Sequence, residues 1–243
     1  MLISIIIPMY NEQNTLLNTI AQVDFYLCSR FDGNKNFSYE IIASDDGSAD
    51  NTRALLNEAC KQYDRLRIVA NDVNRGKGAA VRNGILHAEG DIIIFTDCDL
   101  AYGTDVIGRM AEMFDPGTDI VIGSRNLSKD GYEGYTFLRK LMSKTYIKLI
   151  SAAAGFKHSD SQSGIKGFRK EAAHKIFSRC EIDRFAFDLE ALMIAGKFGF
   201  KIREMPVKII NHAEGTSKVR IVKDTLRMLR DVAKIKKRLK TLT

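Results

Sequence analysis

The chain has 243 residues, 45% hydrophobic and 28% charged, with a formal net charge of +7. This is ordinary globular composition with enough apolar material for a full core, and no apolar run approaches the roughly 20 residues of a membrane span. Residues 218–243 hold ten Lys or Arg against two Asp, so the rest of the chain is near neutral and a broad nucleic-acid-binding face is excluded.

Residues 3–7 predict a first strand, closed by Pro8 and lacking the basic leader of a secretory signal. A helix is expected over 12–30, with Asn11 as its cap and with Tyr10 and Glu12 left at the strand's carboxyl end. A second strand, 39–44, runs into Asp45-Asp46-Gly47-Ser48, where Asp46 is placed to accept a hydrogen bond from a base or ribose. After a helix at 51–63 and a strand at 66–70 comes Asn74-Arg75-Gly76-Lys77-Gly78. Small residues and backbone amides at the head of a helix (78–89), with Arg75 and Lys77 alongside, predict an anion site. The spacing is neither that of a Walker loop nor GxGxxG, which argues against ATPase and dehydrogenase chemistry.

The strand at 91–96 ends in Asp97-Cys98-Asp99. A strand's side-chain period of two puts both carboxylates on one side, at the edge where open α/β sheets bind ligands. Two hard oxygen ligands there suit Mg²⁺ or Mn²⁺, which take one or two carboxylates plus phosphate and water; the alternative is that one of them caps the next helix. That helix, 105–114, and a strand at 119–122 complete an alternation that reads as α/β with a doubly wound parallel sheet.

Beyond Arg125 the segment 126–136 reads as a mobile loop, followed by a helix at 137–154, a strand at 164–169, a helix from Lys170, a helix at 188–197 and a strand at 201–209. At 219–239, Val222, Leu226, Leu229, Val232 or Ala233, and Leu239 recur at helical spacing opposite Lys and Arg. Such a basic amphipathic helix can lie in a membrane interface or pack its stripe on the domain, and the two are compatible. Without repeats or linkers, one domain is expected, and the scattered Cys28, Cys60, Cys98 and Cys180 indicate a reducing cytosol.

Taken together, Pro8-Met-Tyr-Asn-Glu12, Asp45-Asp-Gly-Ser48, Asn74-Arg-Gly-Lys-Gly-Ala79, Asp97-Cys-Asp99 and Gly123-Ser-Arg125 resemble the inverting family-two glycosyltransferases of GT-A fold. Asp160-Ser-Gln-Ser-Gly164, Arg184-Phe-Ala-Phe-Asp188-Leu-Glu190 and Gly215-Thr-Ser-Lys218 are similar to the polyprenyl- and dolichyl-phosphate hexosyltransferases, nearest the glucosyl branch. Ala101 stands where the mannosyl branch commonly has Gln, and His212 where it has Arg.

The resemblance implies a Rossmann-like, mostly parallel sheet flanked by helices over residues 1–217, with a donor half to 124, an acceptor half from 125, and a separate basic helix at 218–243. It implies that Pro8, Tyr10, Glu12, Ser44 and Asp46 cradle the nucleotide, with Lys77, Arg125 and Lys218 at phosphates. Asp97, Cys98 and Asp99 would stand at the metal and diphosphate, Arg139 at a lipid phosphate, and Asp188 with Glu190 would orient the sugar, act as base or cap a helix. The expected reaction moves glucose from UDP-glucose onto a polyprenyl phosphate at the cytoplasmic membrane face. The alternatives are a glycan hydroxyl as acceptor, or GDP-mannose or UDP-GlcNAc as donor.

Overall fold

The computed structural model describes residues 1–31, 36–155, 158–211 and 221–242, and within these all side chains except those of 137–139 and 221–225. Among the described residues, the strands β1 (Leu2–Met9), β2 (Ser38–Asp45), β3 (Leu66–Ala70), β4 (Ile92–Thr96), β5 (Ile120–Ser124), β6 (Ile165–Arg169) and β7 (Ile202–Pro206) form one sheet of order β3-β2-β1-β4-β6-β5-β7. The helices are α1 (Leu16–Phe31), α2 (Thr52–Ala59), α3 (Lys77–Leu86), α4 (Asp105–Ala111), α5 (Phe137–Ala154), α6 (Lys170–Phe177), α7 (Phe187–Lys197) and α8 (Ile221–Leu239).

Strands β1 to β4 pair in parallel, and so do β5 and β7; β6 alone runs antiparallel, inserted between β4 and β5. The parallel strands are isoleucine-rich because both faces are covered. Ile3, Ile5 and Ile7 join α1, α2 and α4 on one face, whereas Ile6, Ile42, Ile93 and Phe95 meet α3, α6 and α7 on the other. The chain is therefore the mostly parallel, helix-flanked α/β sheet expected.

Several local expectations change. Asn11 does not cap α1: it sits at φ 57, its side-chain oxygen accepts from Ala49 N–H at 2.9 Å, and the helix starts only at Leu16. The segment from 126 to 136 is a largely exposed run of turns that is anchored at one point. Gly131 and Tyr132 are buried, and the Tyr132 hydroxyl donates to Asn126 Oδ1 at 3.0 Å.

Part of the apolar side of α8 is covered. Met228 and Val232 pack with Ile150 of α5 and Leu189 of α7, and Arg238 pairs with both Glu190 and Glu181. Its basic side faces water, while Leu226, expected in the apolar stripe, is exposed. No helix among the described residues is long and apolar enough to cross a membrane.

Candidate active site

Strand order reverses between β1 and β4, and at such switch points the carboxyl ends of parallel strands open a crevice. A cleft of about 490 Å³ lies there, bordered by Pro8 and Tyr10 after β1, Asp46 after β2, Lys77 on α3, and Asp97 and Asp99 after β4. Glu12 also borders it, as do Asn74, Arg184 and Phe185. Tyr10 and Phe185 present two exposed aromatic rings.

The side-chain alternation of β4 carries past its end. Asp97, Cys98 and Asp99 all border the cleft, and Cys98, expected at the diphosphate, is buried with its thiol in the core beside Thr19. That thiol sits 3.7 Å from Thr19 Oγ1, and burial pushes its pKa up to about 12. Asp99 is held in a tight turn by Ala101 N–H at 3.0 Å, and Ala101 C=O in turn accepts from Ile210 and Asn211 N–H. The chain after β7 is thereby tied to the carboxylate turn.

Lys77 pairs directly with Asp97. Burial pulls the Lys77 ammonium down, but Asp97, Asp188 and Asp99 outweigh it and hold it above the ordinary lysine value. Asp99 is raised by burial and by the charge of Asp97. Glu12 is raised by burial, with Asp99, Asp50 and Asp97 adding to the rise and a hydrogen bond from Thr15 opposing it. The charge of Asp97 acts on both Asp99 and Glu12, and a divalent cation between Asp97 and Asp99 would offset that crowding of negative charge, so the two hard oxygen donors fit Mg²⁺ or Mn²⁺. Among the described residues no group of three or more His, Cys, Asp or Glu is arranged to hold a metal by itself. Two protein carboxylates would leave the remaining positions to phosphate and water.

Asp46 borders the cleft and also organises the turn that follows β3. Its carboxylate accepts from Arg75 N–H at 3.1 Å, Gly76 N–H at 2.7 Å and Asn71 Nδ2 at 2.8 Å. The Arg75 and Gly76 amides beside the expected anion site are thus taken by an internal carboxylate. Gly76 lies at φ +119, and a Cβ there would meet Asp183 C=O at 2.6 Å. The glycine-rich run lets the 182–187 segment cross the head of α3, with Asp183 paired to Arg75 and Arg82.

Other expected site residues lie behind the cleft. Ser44 is fully buried and donates to Ala80 C=O at 2.6 Å, docking α3 onto β2. Arg125 makes a two-pronged pair with buried Asp160, at 2.7 and 3.0 Å, and stacks 5.5 Å from the Tyr132 ring. Burial lowers its pKa, and the hydrogen bonds to Asp160 more than reverse this, leaving it above the usual value.

Asp188 pairs with Lys166, and Glu190 accepts Glu181 and Ile182 N–H at 2.9 and 2.8 Å; neither carboxylate caps α7. Arg139 lies in α5 with its side chain outside the described residues, as do Lys218 and His212 altogether. Arg184, Phe185 and Asn74 had no expected role at the cleft, although all three stand in the motifs that carry the family resemblance.

The solved structure of glucosyl-3-phosphoglycerate synthase from Mycobacterium tuberculosis, in complex with Mn²⁺, UDP and phosphoglyceric acid, superposes with a TM-score of 0.66. It is 18% identical, and the match covers 96% of this chain and 76% of that one. The fold is that of the GT-A glycosyltransferases. The profile of glycosyl transferase family 2 matches residues 4–177, and the chain belongs to that family.

A dolichyl-phosphate beta-glucosyltransferase of Trichomonas vaginalis is 34% identical over 238 residues, covering 96% of this chain and 72% of that relative. The dolichyl-phosphate beta-glucosyltransferase of Homo sapiens is 32% identical over 214 residues, covering 84% of this chain and 66% of its own length.

Proposed function

We propose that the protein transfers glucose, with inversion, from UDP-glucose to a polyprenyl phosphate at the cytoplasmic face of a membrane. The observation that carries this reading is the pairing of Asp97 and Asp99 at the cleft with relatives that glucosylate dolichyl phosphate. Tyr10, Pro8 and Asp46 form the wall for base and ribose, and Lys77 with Arg184 supplies positive charge for the diphosphate. A divalent cation held by Asp97 and Asp99 would neutralise the leaving diphosphate.

A lipid phosphate is already anionic, so its oxygen attacks the anomeric carbon as the bond to the diphosphate breaks, and no strong general base is needed. The burial of Asp188 against Lys166 supports a phosphate acceptor over a glycan hydroxyl, which would need a freely positioned carboxylate base. Incubation with UDP-glucose, a short-chain polyprenyl phosphate and Mn²⁺ should yield UDP and a β-linked glucosyl lipid, identified by mass and by the anomeric proton coupling. If no UDP- or GDP-sugar gives a lipid product while a glycan does, the acceptor assignment is wrong.

A further inference from the structure

Helix α5 is the excursion between β5 and β6. Strand β5 ends, and antiparallel β6 begins, at the same sheet edge as Asp97, so both ends of α5 are rooted in loops on the cleft side. Its inner positions Ile150 and Ala154 pack against α7 and α8.

The outer face of α5 is unlike an ordinary solvated helix face. Leu141, Thr145 and Leu149 recur four residues apart, with Met142 and Ala152 beside them, and all five are exposed. Leu141 is 51% accessible, Leu149 47% and Met142 37%, where a surface helix normally shows polar groups. Lys144 and Lys148 edge the stripe, and the helix contains no Asp or Glu. The neighbouring α8 turns Arg227, Arg230, Lys234 and Lys237 to solvent.

We infer that this combined face, an apolar stripe on α5 beside a basic stripe on α8, docks on an anionic lipid bilayer. The inference rests on the lipid-acceptor reading and supplies its missing geometry. Apolar side chains of a helix lying in the interface leave water for the acyl boundary, while lysine and arginine meet acidic headgroups. A twofold contact with a second copy would instead set the same cations against each other, so charge complementarity selects the anionic surface. Most of the apolar contribution comes from α5, because Met228 and Val232 of α8 are spent on the protein core and only Leu226 of that helix is left exposed among its described large apolar side chains. Docking through α5 brings the loops that frame the cleft to the headgroups, where a lipid phosphate resides.

The full chain should co-sediment with vesicles containing about one third phosphatidylserine and fail to do so with pure phosphatidylcholine. Leu141→Gln with Leu149→Gln should weaken that binding about tenfold or more, with an unchanged melting temperature. Lys234→Glu with Lys237→Glu should remove the dependence on acidic lipid. Equal binding of wild type to both vesicles, no binding to either, or wild-type binding by the leucine variant would each overturn the proposal. So would a dimer in light scattering that the leucine variant dissolves while vesicle binding persists. Transfer to a water-soluble short-chain polyprenyl phosphate without vesicles should be unaffected by either pair. Absence of that transfer in wild type would count against the acceptor reading alone, since vesicle binding is read separately.

Discussion

Lys166 donates to Asp188 at 2.8 Å from a position fully shielded from water, and the same ammonium donates to Ser163 C=O at 2.7 Å. It lies 5.5 Å from the centre of the Phe95 ring. The pair joins the antiparallel strand β6 to the first turn of α7 and holds a carboxylate whose charge is felt at Lys77.

Removing one partner of a buried pair strands the other, at a cost of about 3–5 kcal/mol. Lys166→Met should therefore lower the unfolding free energy by about 3 kcal/mol, and the double variant with Asp188→Leu should recover most of the loss. Urea unfolding followed by circular dichroism measures both. Wild-type stability in Lys166→Met would show that the pair contributes nothing.

Asp97→Asn and Asp99→Asn should each reduce UDP release in the presence of lipid phosphate and Mn²⁺ by about 100-fold or more, because charge stabilisation at the leaving group is lost. Both should remain folded, since the two side chains border a cleft and do not fill a core. Activity within a factor of about two of wild type in either would remove the carboxylate pair from the reaction.

The pH dependence of stability has a definite sign. Asp99, raised by burial and then by Asp97, protonates more readily in the native state than in the unfolded chain. Its ionised form therefore penalises folding above the native pKa, and the penalty fades as pH falls toward the ordinary carboxylate value near about 4. Asp99→Asn should melt higher than wild type at pH 7, with the difference shrinking on acidification. Glu12→Gln should follow the same course. A difference that grows on acidification would contradict the assignment.

Gly76→Ala meets two obstacles, a backbone at φ +119 and the carbonyl of Asp183. A loss of about 1–3 kcal/mol is expected. Because displacing the 182–187 segment also moves Arg184 from the cleft, UDP binding by calorimetry should weaken in parallel. Unchanged melting and unchanged UDP affinity would mean that the segment yields freely.

Much of the fold was legible locally. The strands at 66–70 and 164–169 and the helix at 137–154 agree with β3, β6 and α5 within a residue, because isoleucine-rich runs and helical periodicity report on burial without long-range information. The carboxylate pair was legible for the same reason, as strand alternation extends to Asp99 and turns Cys98 inward. Less visible were the partners. Nothing near Arg125 announces that Asp160, 35 residues away, engages it, and nothing in the glycine-rich run shows that Asp46 fills its amides.

The sequence by itself determined the βα alternation and the ends of the strands that carry acidic groups, since these depend on composition and short-range spacing, and its motifs carried the resemblance to the family. Only the tertiary structure decided that β6 enters antiparallel between β4 and β5, that Lys166 meets Asp188 in the interior, and that α8 packs Met228 and Val232 with α5 and α7. Charges and apolar faces find their partners through packing between segments far apart in the chain, and a local pattern specifies that a face must be covered without specifying by what.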